Sequence, residues 1–390
     1  MRGAALSLMV LCLSVVPVSA QTVTGNEAAF VEVADNVYAF VGRRNDANAL
    51  VVVTTAGVVL VDTGNNPPET RTLRRFIQSV TTQPVRYVVI SQNHGDHSGG
   101  TPLFAPPATV VVHDKVASNW RAWRPHQIRS WRKRFPERTD ALENAVPGDD
   151  VVSFAERMTL TLGGTAIELI YVEDAHNPGD LAVWLPESGV LHAGFVGYIG
   201  RHPDIRPDYS HGTIAGMLGQ LDLLRALTPK VVVPAHGPLG DASALQTLTD
   251  YLLQARSKVR TMLQDGVPLD AVIQRFHMNE FDGWDRKEHF PWIAETLYRE
   301  LQGQGPQIVP FAEQRIEGTI LQAEEDGRRL VVKPETGGEV RLRITSDTDI
   351  EGVADRSRLS EGMTVSALYV VPQGANAVLG FDVWELIVKP

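Results

Sequence analysis

Apolar and polar positions alternate over residues 30–42, and β-branched apolar runs at 49–54 and 58–62 flank Ala56-Gly57. This predicts a meander of strands joined by tight turns. Over 67–80 the spacing changes, because Leu73, Phe76, Ile77 and Val80 recur at helical intervals, and 85–91 is then a short continuous apolar strand. Strand, helix, strand is the pattern of an α/β layer. It continues with strands at 109–112, 158–162, 166–172, 181–185 and 190–193, and a buried strand at 231–234. Helices are expected over the Arg/Trp-rich stretch 115–134 and over 213–227.

Beyond 240 the pattern turns helical as far as 301, with Leu245, Leu248, Tyr251, Leu252 and Ala255 on one stripe. That stripe packs against a sheet or forms a contact between copies of the chain, as in a homo-oligomer. Gly303-Gln304-Gly305-Pro306 breaks the helical pattern, and short strands with glycine turns at 325–327 and 336–338 follow. The expected division is therefore an α/β unit over 21–240, a helical extension packed on it over 241–306, and a small all-β barrel or sandwich over 307–390. Its expected role is stabilising or protein-binding.

The first residues carry a different signal. Arg2 precedes an apolar run over 4–18, and Val18-Ser19-Ala20 offers small residues for cleavage after Ala20. This is the form of a secretory signal peptide over 1–20, which implies a periplasmic or secreted protein. The run is short for a bilayer span, so no stable membrane anchor is expected.

Composition narrows the chemistry. A chain of 390 residues with 43% hydrophobic and 21% charged residues is folded and too long for one core. Its one cysteine, Cys12, lies inside the apolar run, so any metal in the mature chain must be held by His, Asp, Glu or an amide. A net charge of −10 argues against general nucleic-acid binding. A small-molecule substrate is the expected partner.

The strand at 85–91 runs straight into Gln92-Asn93-His94-Gly95-Asp96-His97-Ser98-Gly99-Gly100, which places two histidines and an aspartate within four residues at a sheet's carboxyl edge. Open α/β sheets build their sites there. His176, in His176-Asn177-Pro178-Gly179-Asp180, and His236, in Pro234-Ala235-His236-Gly237, also follow apolar strands and precede Gly or Pro turns. The segments are placed to converge on one edge.

These three motifs, together with Val61-Asp62-Thr63-Gly64, resemble the successive motifs of the metallo-β-lactamase superfamily over residues 30–240. The resemblance implies an αββα sandwich, a first zinc site containing His94 and His176, and a second made by Asp96, His97 and His236. One or two zinc ions would supply a hydroxide nucleophile and polarise the bond attacked. Asp96 would both bind metal and orient the nucleophile, and Asp62 would support the metal loop rather than bind metal.

Two positions depart from the family's usual pattern. Gln92 stands where a first-site histidine is usual, and its amide oxygen is a weaker zinc ligand. Phe195, after Leu191-His192-Ala193-Gly194, stands where a bridging aspartate is frequent. The third subclass of metallo-β-lactamases also lacks that bridge, and some of its members use Gln as first ligand; the ligand pattern here is closest to theirs. His192, His202 and His211 are not expected to be ligands.

The resemblance implies an exported zinc hydrolase acting on an ester, lactone, amide or β-lactam-like bond. The alternative is a degenerate member that binds metal or ligand without turnover. Oxygen chemistry at an iron pair is disfavoured by the absent bridging carboxylate. The basic, aromatic stretch 120–134 either lines the cleft and grips an anionic substrate, or is a solvated helix packed on the core, or meets a partner or anionic lipid.

Overall fold

The computed structural model describes residues 28–42, 47–64, 67–92, 94–105, 107–116, 151–173, 175–205, 212–304, 311–344, 348–372 and 381–389. The expected signal segment 1–20 and the 115–134 helix from 117 onward lie outside them.

The alternating run at 30–42 folds as a hairpin, β1 (Ala29–Ala34) and β2 (Val37–Val41), turned at Asn36, which takes a left-handed conformation. β3 (Ala49–Thr54) and β4 (Gly57–Val61) complete the antiparallel meander. α1 (Pro67–Val80) then crosses to the parallel strand β5 (Val85–Val89), which leads into the short α2 (Gly95–Ser98). β6 (Thr109–His113) and β7 (Val151–Phe154) extend the sheet in parallel, giving the order β1-β2-β3-β4-β5-β6-β7. β7 was not predicted: four residues, half of them solvent-facing, carry too little apolar patterning to be seen.

A second sheet has the order β12-β11-β10-β9-β8. It is an antiparallel run of β8 (Arg157–Leu162), β9 (Thr165–Tyr171), β10 (Leu181–Leu185) and β11 (Val190–Gly194). Helix α3 (Ile214–Ala226) then crosses to β12 (Val231–Pro234), which is parallel to β11. Thr213 caps α3 by accepting from Gly216 N at 2.7 Å, an interaction that contributes about 1 kcal/mol.

Val33, Leu50, Val59, Val61 and Val89 of the first sheet meet Ile167, Leu169, Leu181, Val183 and Val233 of the second in one dry layer. Each such buried side chain contributes roughly 1.5–3 kcal/mol. On the outer face of the first sheet, Leu73 and Ile77 of α1 pack on Val51, Leu60, Val88 and Val110. On the outer face of the second, Met217, Leu221 and Leu224 of α3 pack beside α4 (Ala242–Gln264), α5 (Leu269–Arg275) and α6 (Phe290–Leu301). The result is an αββα sandwich, and the Leu245-Leu248-Tyr251-Leu252-Ala255 stripe is buried in its outer helical layer.

The remaining strands are β13 (Phe311–Glu324), β14 (Arg329–Pro334), β15 (Val340–Arg343), β16 (Asp349–Glu351), β17 (Thr364–Pro372) and β18 (Phe381–Val388). Their order is β15-β14-β13-β17-β18-β16, and an additional β15–β18 pairing closes five of them into a small barrel. Ile316, Ile320, Leu330, Val332, Val365 and Leu386 fill it. This is the additional C-terminal β domain of the fold.

Candidate metal centre

The site forms where β4 and β5 of the first sheet and β12 of the second end together. Asp62, immediately after β4, takes a left-handed conformation with φ 62°. This turns its carboxylate back into the protein, where Oδ1 accepts from Ser91 N at 2.8 Å and Oδ2 from Ser91 Oγ at 2.6 Å. The same Oδ2 lies 2.6 Å from His97 Nδ1. With Nδ1 held by a carboxylate, the other ring nitrogen of His97 is left to face the site. That Nε2 is buried and has no hydrogen-bond partner among the described residues.

The loop is fixed from its backbone as well. Thr63 N and Thr63 Oγ1 both donate to the His97 carbonyl, at 2.7 and 3.0 Å. Gly100 has no room for a side chain: a Cβ there would lie 2.2 Å from both the Thr63 carbonyl oxygen and Thr70 Oγ1.

His236 arrives from the second sheet. Asn48 clamps its loop, receiving nothing from sequence pattern to announce the role: Asn48 N donates to Ala235 O at 2.7 Å, and its Nδ2 to Pro234 O and Gly237 O, both at 2.9 Å. Asp96 Oδ2 lies 3.0 Å from His236 Nε2 and 3.6 Å from His97 Nε2. One ligand atom from each of Asp96, His97 and His236 falls within 4.8 Å of the others. Burial opposes ionisation of Asp96, but His97, His236 and His94 outweigh it and hold the carboxyl well below its ordinary range. Burial likewise disfavours the His97 cation, and there the Asp62 and Asp96 carboxylates prevail and raise its pKa. At His236 burial wins, and the pKa is lowered.

This trio fits a divalent ion: an orphaned buried imidazole nitrogen, a second imidazole and a carboxylate face one point. The other expected ligands are brought near each other but are arranged differently. Asn177 Nδ2 lies 3.1 Å from Gln92 Oε1 and 3.0 Å from His94 Nε2. The Asn177 amide thus occupies the space between two of the atoms that a first ion would need. Gln92 Oε1 also accepts from His94 N at 3.3 Å.

Phe195 sits among all four histidines. Its ring stacks on His176 at 4.1 Å between centroids and 4° between planes, and lies 5.2 Å from His97, 5.2 Å from His236 and 6.1 Å from His94. The residue that replaces a carboxylate is therefore an apolar wall of the site.

Of the remaining histidines, His192 is buried with Nε2 3.8 Å from Asp62 Oδ2. His202 pairs through Nδ1 with Tyr251 Oη at 3.0 Å. His211 and residues 120–134 lie outside the described residues.

A profile of the metallo-beta-lactamase superfamily matches residues 42–236, half of the chain and the segment that supplies Gln92, His94, Asp96, His97, His176 and His236. The chain belongs to the metallo-beta-lactamase superfamily. The chain is 26% identical over 161 residues to the 2,4-dinitroanisole O-demethylase subunit alpha of Nocardioides sp. (strain JS1661), a match that covers 41% of this chain and 44% of that protein. It is 24% identical over 219 residues to the metallo-beta-lactamase type 2 of Bacillus sp. (strain 170), covering 55% of this chain and 75% of the relative.

Among solved structures, the stereoselective inverting sec-alkylsulfatase Pisa1 from Pseudomonas sp. superposes with a TM-score of 0.54 at 18% identity, over 71% of this chain and 50% of that one. That similarity speaks for the fold. The chain spans about half or less of the demethylase subunit and of the sulfatase. No helix among the described residues is long and apolar enough to cross a membrane.

Proposed function

We propose that this chain is an exported, zinc-dependent hydrolase of small molecules that cleaves an ester, lactone, amide or β-lactam-like bond, with Asp96, His97 and His236 holding one metal ion. The observation that carries the reading is the meeting of Asp96 and His97 with His236 across the joint of two sheets, with the His97 Nε2 making no hydrogen bond among the described residues. Two imidazoles and one carboxylate with no thiolate are a donor set suited to zinc. Such an ion, when bound, acidifies water and polarises the bond under attack.

The chain's own residues have separable tasks. Asp62 orients His97, Asn48 fixes the His236 loop, and Asp96, held as a carboxylate by the neighbouring histidines, accepts a hydrogen bond. Phe195 gives the site an apolar wall that excludes water from one side. Gln92, the Asn177 amide and the absence of a carboxylate at 195 support an environment of the third-subclass kind, in which the His94 and His176 set is the weaker one. The pattern of residues 1–20 supports export.

A second reading, a protein that binds metal or ligand without turnover, draws on the Asn177 amide lodged between Gln92 and His94. Elemental analysis of chelator-free protein, combined with assays on ester, lactone and β-lactam substrates, tests both. A hydrolase holds metal, turns over at least one substrate class and loses most of that turnover on Asp96→Asn. Bound metal with no turnover on any class favours the second reading.

A further inference from the structure

We infer that a cleft between helix α5 and the C-terminal barrel is a second ligand site, built apart from the metal centre, that takes a zwitterionic amino acid or short peptide. The cleft has a volume of about 190 Å³. Asp270 and Gln274 line one wall, and Gln322, Glu324, Arg329 and Arg341 line the other. Pockets for drug-sized ligands run to roughly 300–1,000 Å³, so this one suits a ligand of about one or two residues.

The register of the barrel dictates the second wall. Glu324 faces Arg329 across β13 and β14, and in the neighbouring row Gln322 faces Val331, which faces Arg341 of β15. Paired residues, and residues two apart along a strand, share a face of the sheet. Leu330 and Leu342, one step out of phase, fill the barrel instead. On α5, Asp270 and Gln274 are four positions apart and share a helical face. Arg343, paired with Arg329 on the same barrel face, lies over the Trp292 ring of α6 at 5.4 Å. That cation–π contact holds the barrel against the helical layer without any ligand.

The lining selects the ligand. Five-stranded barrels that bind oligonucleotides or oligosaccharides use the face of their second and third strands, which here are β14 and β15. Among the described residues, however, no aromatic ring lines the cleft, so a base has nothing to stack on. Carboxylates, guanidiniums and amides face it together. Asp270, Gln274, Gln322 and Glu324 make no side-chain hydrogen bond or ion pair among the described residues, and Arg329 pairs with Glu325 at 3.3 Å. A ligand of single charge would be repelled by one set of these groups. A zwitterion satisfies both: its carboxylate accepts from the Arg341 fork, its ammonium donates to Asp270 and Glu324, and its amide groups bond Gln274 and Gln322.

The purified full chain would be titrated calorimetrically with alanyl-alanine and, separately, with N-acetyl-alanyl-alanine and alanyl-alaninamide, each of which lacks one charge. Arg341→Met and the double variant Asp270→Asn, Glu324→Gln would be titrated alike, after their thermal transitions show them folded. The expected result is millimolar or tighter binding of the dipeptide, weakened about tenfold by either cap. Arg341→Met should erase the preference for the free carboxylate, and the double variant the preference for the free ammonium.

A dipeptide that does not bind at millimolar concentration, capped forms that bind as well as the free one, or variants that leave binding unchanged would each overturn the inference. Binding lost on amidation but kept on acetylation would make the cleft an anion site and refute the zwitterion assignment. None of these readouts depends on turnover, because no residue of the cleft belongs to the metal centre.

Discussion

Asp62 Oδ2 and His97 Nδ1 lie 2.6 Å apart in a fully enclosed setting, and neither side chain is reached by solvent. Because the same carboxylate is also held by Ser91, the imidazole has one available orientation and one free nitrogen. Asp62→Asn keeps the shape and tolerates the left-handed backbone, but removes the charge that fixes His97. Metal affinity measured against a competing chelator should fall roughly 10–100-fold with the fold intact. An unchanged affinity would show that His97 needs no such partner.

The Asn177 amide and the Phe195 ring leave the His94 and His176 set without a shared acceptor point. Elemental analysis should find about one metal ion per chain. The double variant Gln92→His, Phe195→Asp supplies an imidazole and a carboxylate, and should raise the count towards two. Two ions in the wild-type protein would refute the single-ion assignment.

Gly100→Ala should damage the loop through its backbone. The new Cβ would lie 2.2 Å from the Thr63 carbonyl oxygen, and Thr70 Oγ1, which donates to that oxygen at 2.7 Å, cannot step aside without breaking its bond. A loss of about 1–3 kcal/mol is expected, read as a lower urea midpoint. A midpoint equal to wild type would mean that the loop yields at little cost.

Stability should fall in acid for a reason that lies outside the metal cluster. Burial, then the neighbouring His289 and Lys287, lowers the pKa of His202 from 6.5 to about 4. Below pH 6.5 the unfolded chain takes up a proton that the native state refuses until about pH 4, so stability drops across that window as pH falls. His192, lowered to about 4 chiefly by burial, acts in the same direction. Urea titrations at pH 7 and pH 4.5 should show a smaller loss for His202→Gln than for wild type; an equal loss would assign the acid sensitivity elsewhere.

Much of the sandwich was legible because its strands are continuous apolar runs and its long helices carry clear stripes. α1 and the strands β10 and β12 fall where the residue pattern puts them. The ends of elements were less legible: the apolar run expected to reach Ser91 gives a strand that ends at Val89, with one further bond from Ile90 N to Val111 O, and Ser91 is turned to Asp62.

At the site, Asp96, His97 and His236 were marked by spacing and by the strands before them. Asn48 and Asn177 were not. Asn48 and Asn177 act through side-chain amides that bond residues more than eighty positions away, and no local spacing records such a contact.

The ligand trio is divided between two sheets: Asp96 and His97 follow β5, whereas His236 follows β12. No fragment that stops short of residue 236 can therefore assemble the set, and an ion captured by the finished trio would tie the two halves of the sandwich together. Its binding free energy would become part of the folding free energy. Imidazole and carboxylate donors select only weakly among first-row divalent ions. The compartment in which this chain completes its fold would then decide which metal it acquires.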